Sequence, residues 1–210
     1  MRTKDFPNIL YGSFRVRLRV SGDSGACGGF FTYRSDEQEI DIELLSKDPR
    51  NLVHYTNHPS NTKDAASLVD LHDLKAGLTW SGWHTHRLDW TSSSSSFYLD
   101  SIYTASNKGS VPNEPSHFML NVWNDNGDWT GEMKTGDSAK MEVGWIEMFY
   151  NTTESAQTVC ARTCPVDKGL AGGGRPGTKG IGGGCPVGGD WREAGKCEEH
   201  DGGDIERRIS

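Results

Sequence analysis

From Tyr11 the chain reads YGSFRVRLRV, in which Phe14, Val16, Leu18 and Val20 alternate with Arg15, Arg17 and Arg19. A period of two puts the apolar set on one face of a strand and the arginines on the other. Shorter runs of the same kind follow: GGFFTYR, EIDIELL, LVHYTN, HRLDW, SFYLDSIYT, HFMLNVW and MEVGWIEMFY. Between them lie SGDSG, NHPSNTKD, TSSSSS, SNKGSVPNEP and NDNGDW, whose Gly, Ser, Asn and Pro residues favour turns over ladders. Many short strands with such breaks, and almost no helical periodicity, predict an all-β fold, an antiparallel sandwich or barrel. The five-serine run is expected to be a hairpin loop rather than a functional tract.

One strand carries unusual chemistry. In EIDIE, Glu39, Asp41 and Glu43 share a face, while Ile40, Ile42 and Leu44 turn to the core. β-Branched isoleucine favours a strand here over a helix, which would scatter the acids around its surface. The Cα atoms of Glu39 and Glu43 should lie about 13 Å apart at ~3.3 Å per residue. Side chains that lean together can close that to the ~5–5.5 Å used by retaining glycosidases. One carboxylate would then attack as an ion while the other delivers a proton, and Asp41 between them would split their titrations. The competing reading is a solvated strand face, because acids alternating with aliphatics are common in an acidic protein. A calcium site is a third reading, but such ligands usually come from a loop, and the segment lacks EF-hand spacing.

Composition narrows the field further. At 210 residues the chain is long enough for one domain with a sizeable core. Its net charge of -7 and the lack of a Lys/Arg stripe argue against a nucleic-acid partner. No apolar run approaches the ~20 residues of a membrane span, and MRTKDFPNIL holds no secretory apolar stretch. Residues 1–151 are expected to fold. Residues 152–210, with more than half of the chain's 26 glycines and the stretch AGGGRPGTKGIGGG, are expected to form a flexible tail.

Cysteine is ambiguous: Cys27 stands alone, whereas Cys160, Cys164, Cys185 and Cys197 crowd the tail. CARTC is poor zinc spacing, so disulfides are the expectation there and no metal or other cofactor is assigned. Asn151 opens NTT, a glycosylation acceptor that agrees with a secreted protein.

From about Thr3 to Asn151 the sequence resembles glycoside hydrolase family 16, the β-glucanases of the concanavalin A-like lectin/glucanase superfamily, especially members from filamentous fungi. The stretches that carry the resemblance are YGSFRVRLR, GGFFTYRSDEQEIDIELLSKD, HYTN, HRLDW, FYLDS, VPNEPSHFMLNVWNDNGDWTG and WIEMFYN. It implies a β-jelly-roll sandwich whose concave sheet holds a sugar cleft. It also implies Glu39 as nucleophile, Glu43 as general acid/base and Asp41 as the assisting carboxylate. No extra residue interrupts the strand before Glu43, as in lichenases and xyloglucan-active members. With the FFTY, KD, YTN and NxWN elements, that favours a monomeric retaining endo-enzyme on mixed-linkage or β-1,3-glucan, outside the cell or in the cell wall.

The resemblance also implies that Phe31, Tyr33, Tyr55, Asn121 and Trp123 border the cleft, where aromatic faces suit sugar rings. Arg17 is a weaker candidate for a sugar contact, because a solvated strand face is its default. His84 and His86 are expected to be structural residues at a sheet edge. Family members carry further strands before YGSF, so the chain is expected to be truncated and Cys27 to have lost a partner. A lectin-like domain without turnover and a glucan transglycosylase are the alternatives. The intact acidic triad argues against the first, and the second would use the same residues.

Overall fold

The computed structural model describes residues 8–153, which fall in the first of two units that divide after Thr153. The expected tail and its four cysteines lie outside the described residues. Ten strands run in order: β1 Ile9–Gly22, β2 Cys27–Ser35, β3 Gln38–Leu45, β4 Leu52–His58, β5 Ala66–Asp70, β6 His84–Trp90, β7 Ser95–Leu99, β8 Ile102–Asn107, β9 His117–Trp123 and β10 Ala139–Thr152. Among the described residues a 3-10 turn, Leu71–Asp73, is the sole helical element, so no helix is long and apolar enough to cross a membrane.

The strands form two antiparallel five-stranded sheets, ordered β5-β4-β3-β2-β9 and β10-β1-β6-β7-β8. Alternation decides what each sheet buries. Phe14, Val16, Leu18 and Val20 of β1 are all at most 1% exposed and face Ile40, Ile42 and Leu44 of β3 within one core. Aromatic contacts join the layers: Tyr55 stacks on Phe97 with centroids 4.3 Å apart, and Phe14 stacks on Phe118 at 5.3 Å. Offset stacking of this kind adds about 0.5–1.5 kcal/mol to the burial of each pair. The fold is all-β and antiparallel, as the strand pattern predicts, and of the two architectures that pattern left open it is the sandwich.

Three local readings change. SFYLDSIYT is two strands, because Asp100 and Ser101 adopt φ of 47° and 70° and turn the chain between β7 and β8. Such a turn is usually marked by Asn-Gly or Asp-Gly, and Asp-Ser carries no such mark. The serine run does turn a hairpin, with the Thr91 hydroxyl bonded to Ser94, but its last two serines already belong to β7. The third concerns His86, which lies on the middle strand of its sheet rather than at an edge. Burial and the nearby His84 push its pKa down to about 4, so it stays neutral in the core.

Candidate active site

β3 runs through the middle of its sheet, so its outward acids have neighbours on both sides. On β4, His58 opposes Glu39, Thr56 opposes Asp41 and His54 opposes Glu43. On β2 the partners are Tyr33, Phe31 and Gly29 in the same order. A side chain at Gly29 would lie 2.2 Å from the Ile42 carbonyl oxygen, so glycine keeps the strands close beside Glu43. All three acids line a cleft of about 700 Å³.

Their surroundings differ. Asp41 is buried and accepts a hydrogen bond from His58 Nε2 at 2.9 Å. Glu39 and Asp41 hydrogen-bond each other; burial first, and then the like charge of Asp41, raise the Glu39 carboxyl. Burial also raises Asp41, against the pull of His58, whose own pKa rises because it bonds Asp41. These two acids therefore hold a shared proton where separate carboxyls would be ionised. Glu43 is raised by burial and by Asp41, but Oε1 accepts from the Cys27 thiol and from Trp129 Nε1, each at 3.2 Å. Glu39, Asp41 and His58 also bring three ligand-type atoms within 4.8 Å of one another, a spacing their mutual hydrogen bonds already explain.

The other expected contacts divide. Phe31, Asn121 and Trp123 line the cleft. Tyr33 stands beside Glu39 in the sheet but is not part of that lining, and its hydroxyl donates to Asp36 at 2.9 Å. Tyr55 is corrected: it opposes Ile42, is fully buried, and stacks on Phe97 in the core. Arg17 is corrected as well. It belongs to the other sheet, opposite Thr85 and Trp145, with its guanidinium over the Trp83 ring. Neither His84 nor His86 reaches the cleft; His84 Nδ1 lies 2.6 Å from Asp100. Asn151 is exposed near the end of β10. Cys27, the one cysteine among the described residues, is buried and unbridged against Glu43.

The family model for glycosyl hydrolases family 16 matches residues 2–147. The chain belongs to this family. It is 28% identical over 151 residues to a β-glucanase of Paenibacillus macerans, covering 67% of this chain and 60% of that protein. It is 32% identical over 145 residues to a β-glucanase of Bacillus amyloliquefaciens, covering 65% and 58%. The chain thus spans about three fifths of the length of the curated relatives it matches. The structure of the Bacillus licheniformis β-glucanase superposes with a TM-score of 0.59 at 24% identity, over 72% of this chain and 70% of that one. An apo Crh5 transglycosylase superposes at 0.52 and 17%, over 70% and 65%; both likenesses show the jelly-roll fold.

Among the cleft residues of this family 16 chain that sequence reasoning missed are His54, Thr56, His58 and Trp129. The first three were legible, since they alternate with Val53 and Tyr55 and so share the outward face of β4. Trp129 was not, because 86 residues separate it from Glu43.

Proposed function

We propose that this chain is a retaining endo-β-glucanase acting on mixed-linkage β-1,3/1,4-glucan or β-1,3-glucan. One observation carries the reading: two glutamates share a cleft-facing strand, one sharing a proton with Asp41 and the other held by two neutral donors. Catalytic pairs work when their surroundings separate them in this way.

With the shared proton on Asp41, the Glu39 carboxylate attacks the anomeric carbon. The bond to the leaving oxygen breaks with its electron pair on that oxygen, which takes the proton of Glu43. The ionised Glu43 then removes a proton from water as the water attacks the same carbon, and Glu39 leaves as a carboxylate. Phe31, Trp123 and Trp129 offer flat apolar faces to sugar rings, and Asn121 offers an amide to their hydroxyls. A glucan substrate of this kind would place the protein outside the cell or in the cell wall.

The test is product analysis after incubation with lichenan and laminarin, with and without added sugar acceptors. Shortened oligosaccharides with retained anomeric configuration, lost in Glu39→Gln, are expected. Binding without turnover would overturn the reading in favour of a lectin, and chain transfer in place of hydrolysis would make the protein a transglycosylase.

A further inference from the structure

We infer that the Cys27 thiol and the Trp129 indole together fix the acidic proton of Glu43 on Oε2, making them positioning residues for the general acid. The inference rests on the role of Glu43 proposed above and extends it to how the proton is aimed. Both donors address one oxygen: Sγ of Cys27 and Nε1 of Trp129 each lie 3.2 Å from Oε1. A carboxyl oxygen has two lone pairs, and two donors occupy both. Oε1 is then the carbonyl oxygen of the neutral acid, and the O–H must be at Oε2. An acid free to rotate would present the wrong oxygen part of the time.

The two donors are suited to this in different ways. The thiol is buried next to carboxyl groups; burial, then Glu43 and Asp41, raise its pKa far above any working pH, so it remains a donor. It is therefore no nucleophile here, since that role needs the thiolate. Trp129 comes from the loop after β9 and is braced from two directions. Its ring meets the His54 ring at 5.0 Å and 69°, and His54 Nε2 lies 2.7 Å from Asp48 Oδ2. Lys47 donates to the Asp128 carbonyl. The Lys47–Asp48 pair that follows β3 thus holds, from the acid's own side, the loop that carries one of its donors. Within that loop Asp125 accepts from the Gly127 amide at 2.8 Å and from the Thr130 hydroxyl, which keeps the turn shaped.

The test compares Cys27→Ala, Cys27→Ser and Trp129→Phe with the wild type. Glucan hydrolysis by Cys27→Ala and Trp129→Phe should fall about tenfold each in kcat, as for a lost hydrogen bond to the carboxylate that forms as Glu43 gives up its proton, with KM little changed for Cys27→Ala. Cys27→Ser, which keeps a donor, should recover most of the loss. A dinitrophenyl glycoside, whose leaving group departs without a proton, should show a loss below about threefold in kcat/KM, which reports that first step, in the same variants. The Glu43 carboxyl, followed by 13C NMR, should also titrate at higher pH in Cys27→Ala, because a donor that favours the carboxylate has gone. Equal losses on both substrates, or Cys27→Ser no better than Cys27→Ala, would overturn the inference. Should the wild type hydrolyse no glucan, the reading of Glu43 as acid fails, while the NMR titration still decides whether the two donors set its proton. An unmoved titration sinks the positioning as well.

Discussion

Replacing Glu39 with Gln should end hydrolysis and yet stabilise the fold near neutral pH. In the folded protein Glu39 and Asp41 share a proton because burial and mutual repulsion oppose a second charge. The unfolded chain, with ordinary carboxyls near pKa 4.3, has lost that proton by pH 7. The stability that a raised folded pKa contributes is fully present below the unfolded value and drains away as pH rises toward the folded one. Each pH unit of that interval costs about 1.4 kcal/mol, so one unit of upward shift costs about that much. The interval from 4.3 to 7 sets a ceiling near 3.7 kcal/mol. Glutamine removes the proton uptake while its amide can still donate to Asp41 as the acid did. The expected gain at pH 7 is therefore roughly 1.4–3.7 kcal/mol, or about 3–15 °C in Tm for a domain of this size. Thermal unfolding of both proteins between pH 4 and 8 measures it, and His86, which becomes charged in the unfolded chain on acidification, cancels in the difference. The curves should converge at pH 4 and separate as pH rises. A variant no more stable than wild type at pH 7, or a gap that does not shrink on acidification, would refute the shared proton.

His58→Gln removes the ring that bonds Asp41 at 2.9 Å and that, once protonated, favours the ionised acids, so the acidic pair should keep its protons to higher pH. The acid limb of the kcat/KM profile should move up by about one unit, the low end for a charged hydrogen bond because His58 is partly exposed. Gly29→Ala would push a methyl against the Ile42 carbonyl, so it should cost about 1–3 kcal/mol in denaturant unfolding and lower kcat by disturbing the strand beside Glu43. Tyr55→Phe should leave KM for glucan within about twofold, whereas Tyr55→Ala should destabilise by about 3–5 kcal/mol, since the ring belongs to the core.

The strand face of EIDIE was legible because two isoleucines have to be buried and a period of two leaves only one direction for the acids. Tyr55 shows how the same rule is missed when residue type is put ahead of position. Its aromatic ring suggested a sugar contact, yet Val53 and Tyr55 alternate against His54, Thr56 and His58, and the apolar set goes inward. Arg17 failed for a different reason. Its outward face was correctly read, but only pairing between distant strands tells which sheet β1 joins, and β1 joins the sheet opposite the cleft. β5 went unread because Ala66–Asp70 holds no fully buried residue and carries a weak apolar pattern. Trp129 and Cys27 were visible as residues, but that both address one oxygen of Glu43 depends on contacts made only on folding.

In the reaction proposed for this cleft, those contacts favour Glu39 over Glu43 as the attacking glutamate. An attacking carboxylate has to lose its proton to a neighbour before it reaches carbon, and Glu39 has Asp41 in hydrogen-bond contact for that purpose. A general acid needs the reverse: a proton held on an oxygen that nothing else claims, which Glu43 has at Oε2 once Oε1 is taken by two donors. Exchanging the roles would ask Glu39 to give sugar oxygen a proton for which Asp41 competes, and ask Glu43 to attack while two donors weaken it as a nucleophile. A fluoro-sugar that traps the covalent intermediate should therefore label Glu39, as read by mass spectrometry of the digested protein. A label on Glu43 would reverse both roles, and with them the purpose of the thiol beneath it.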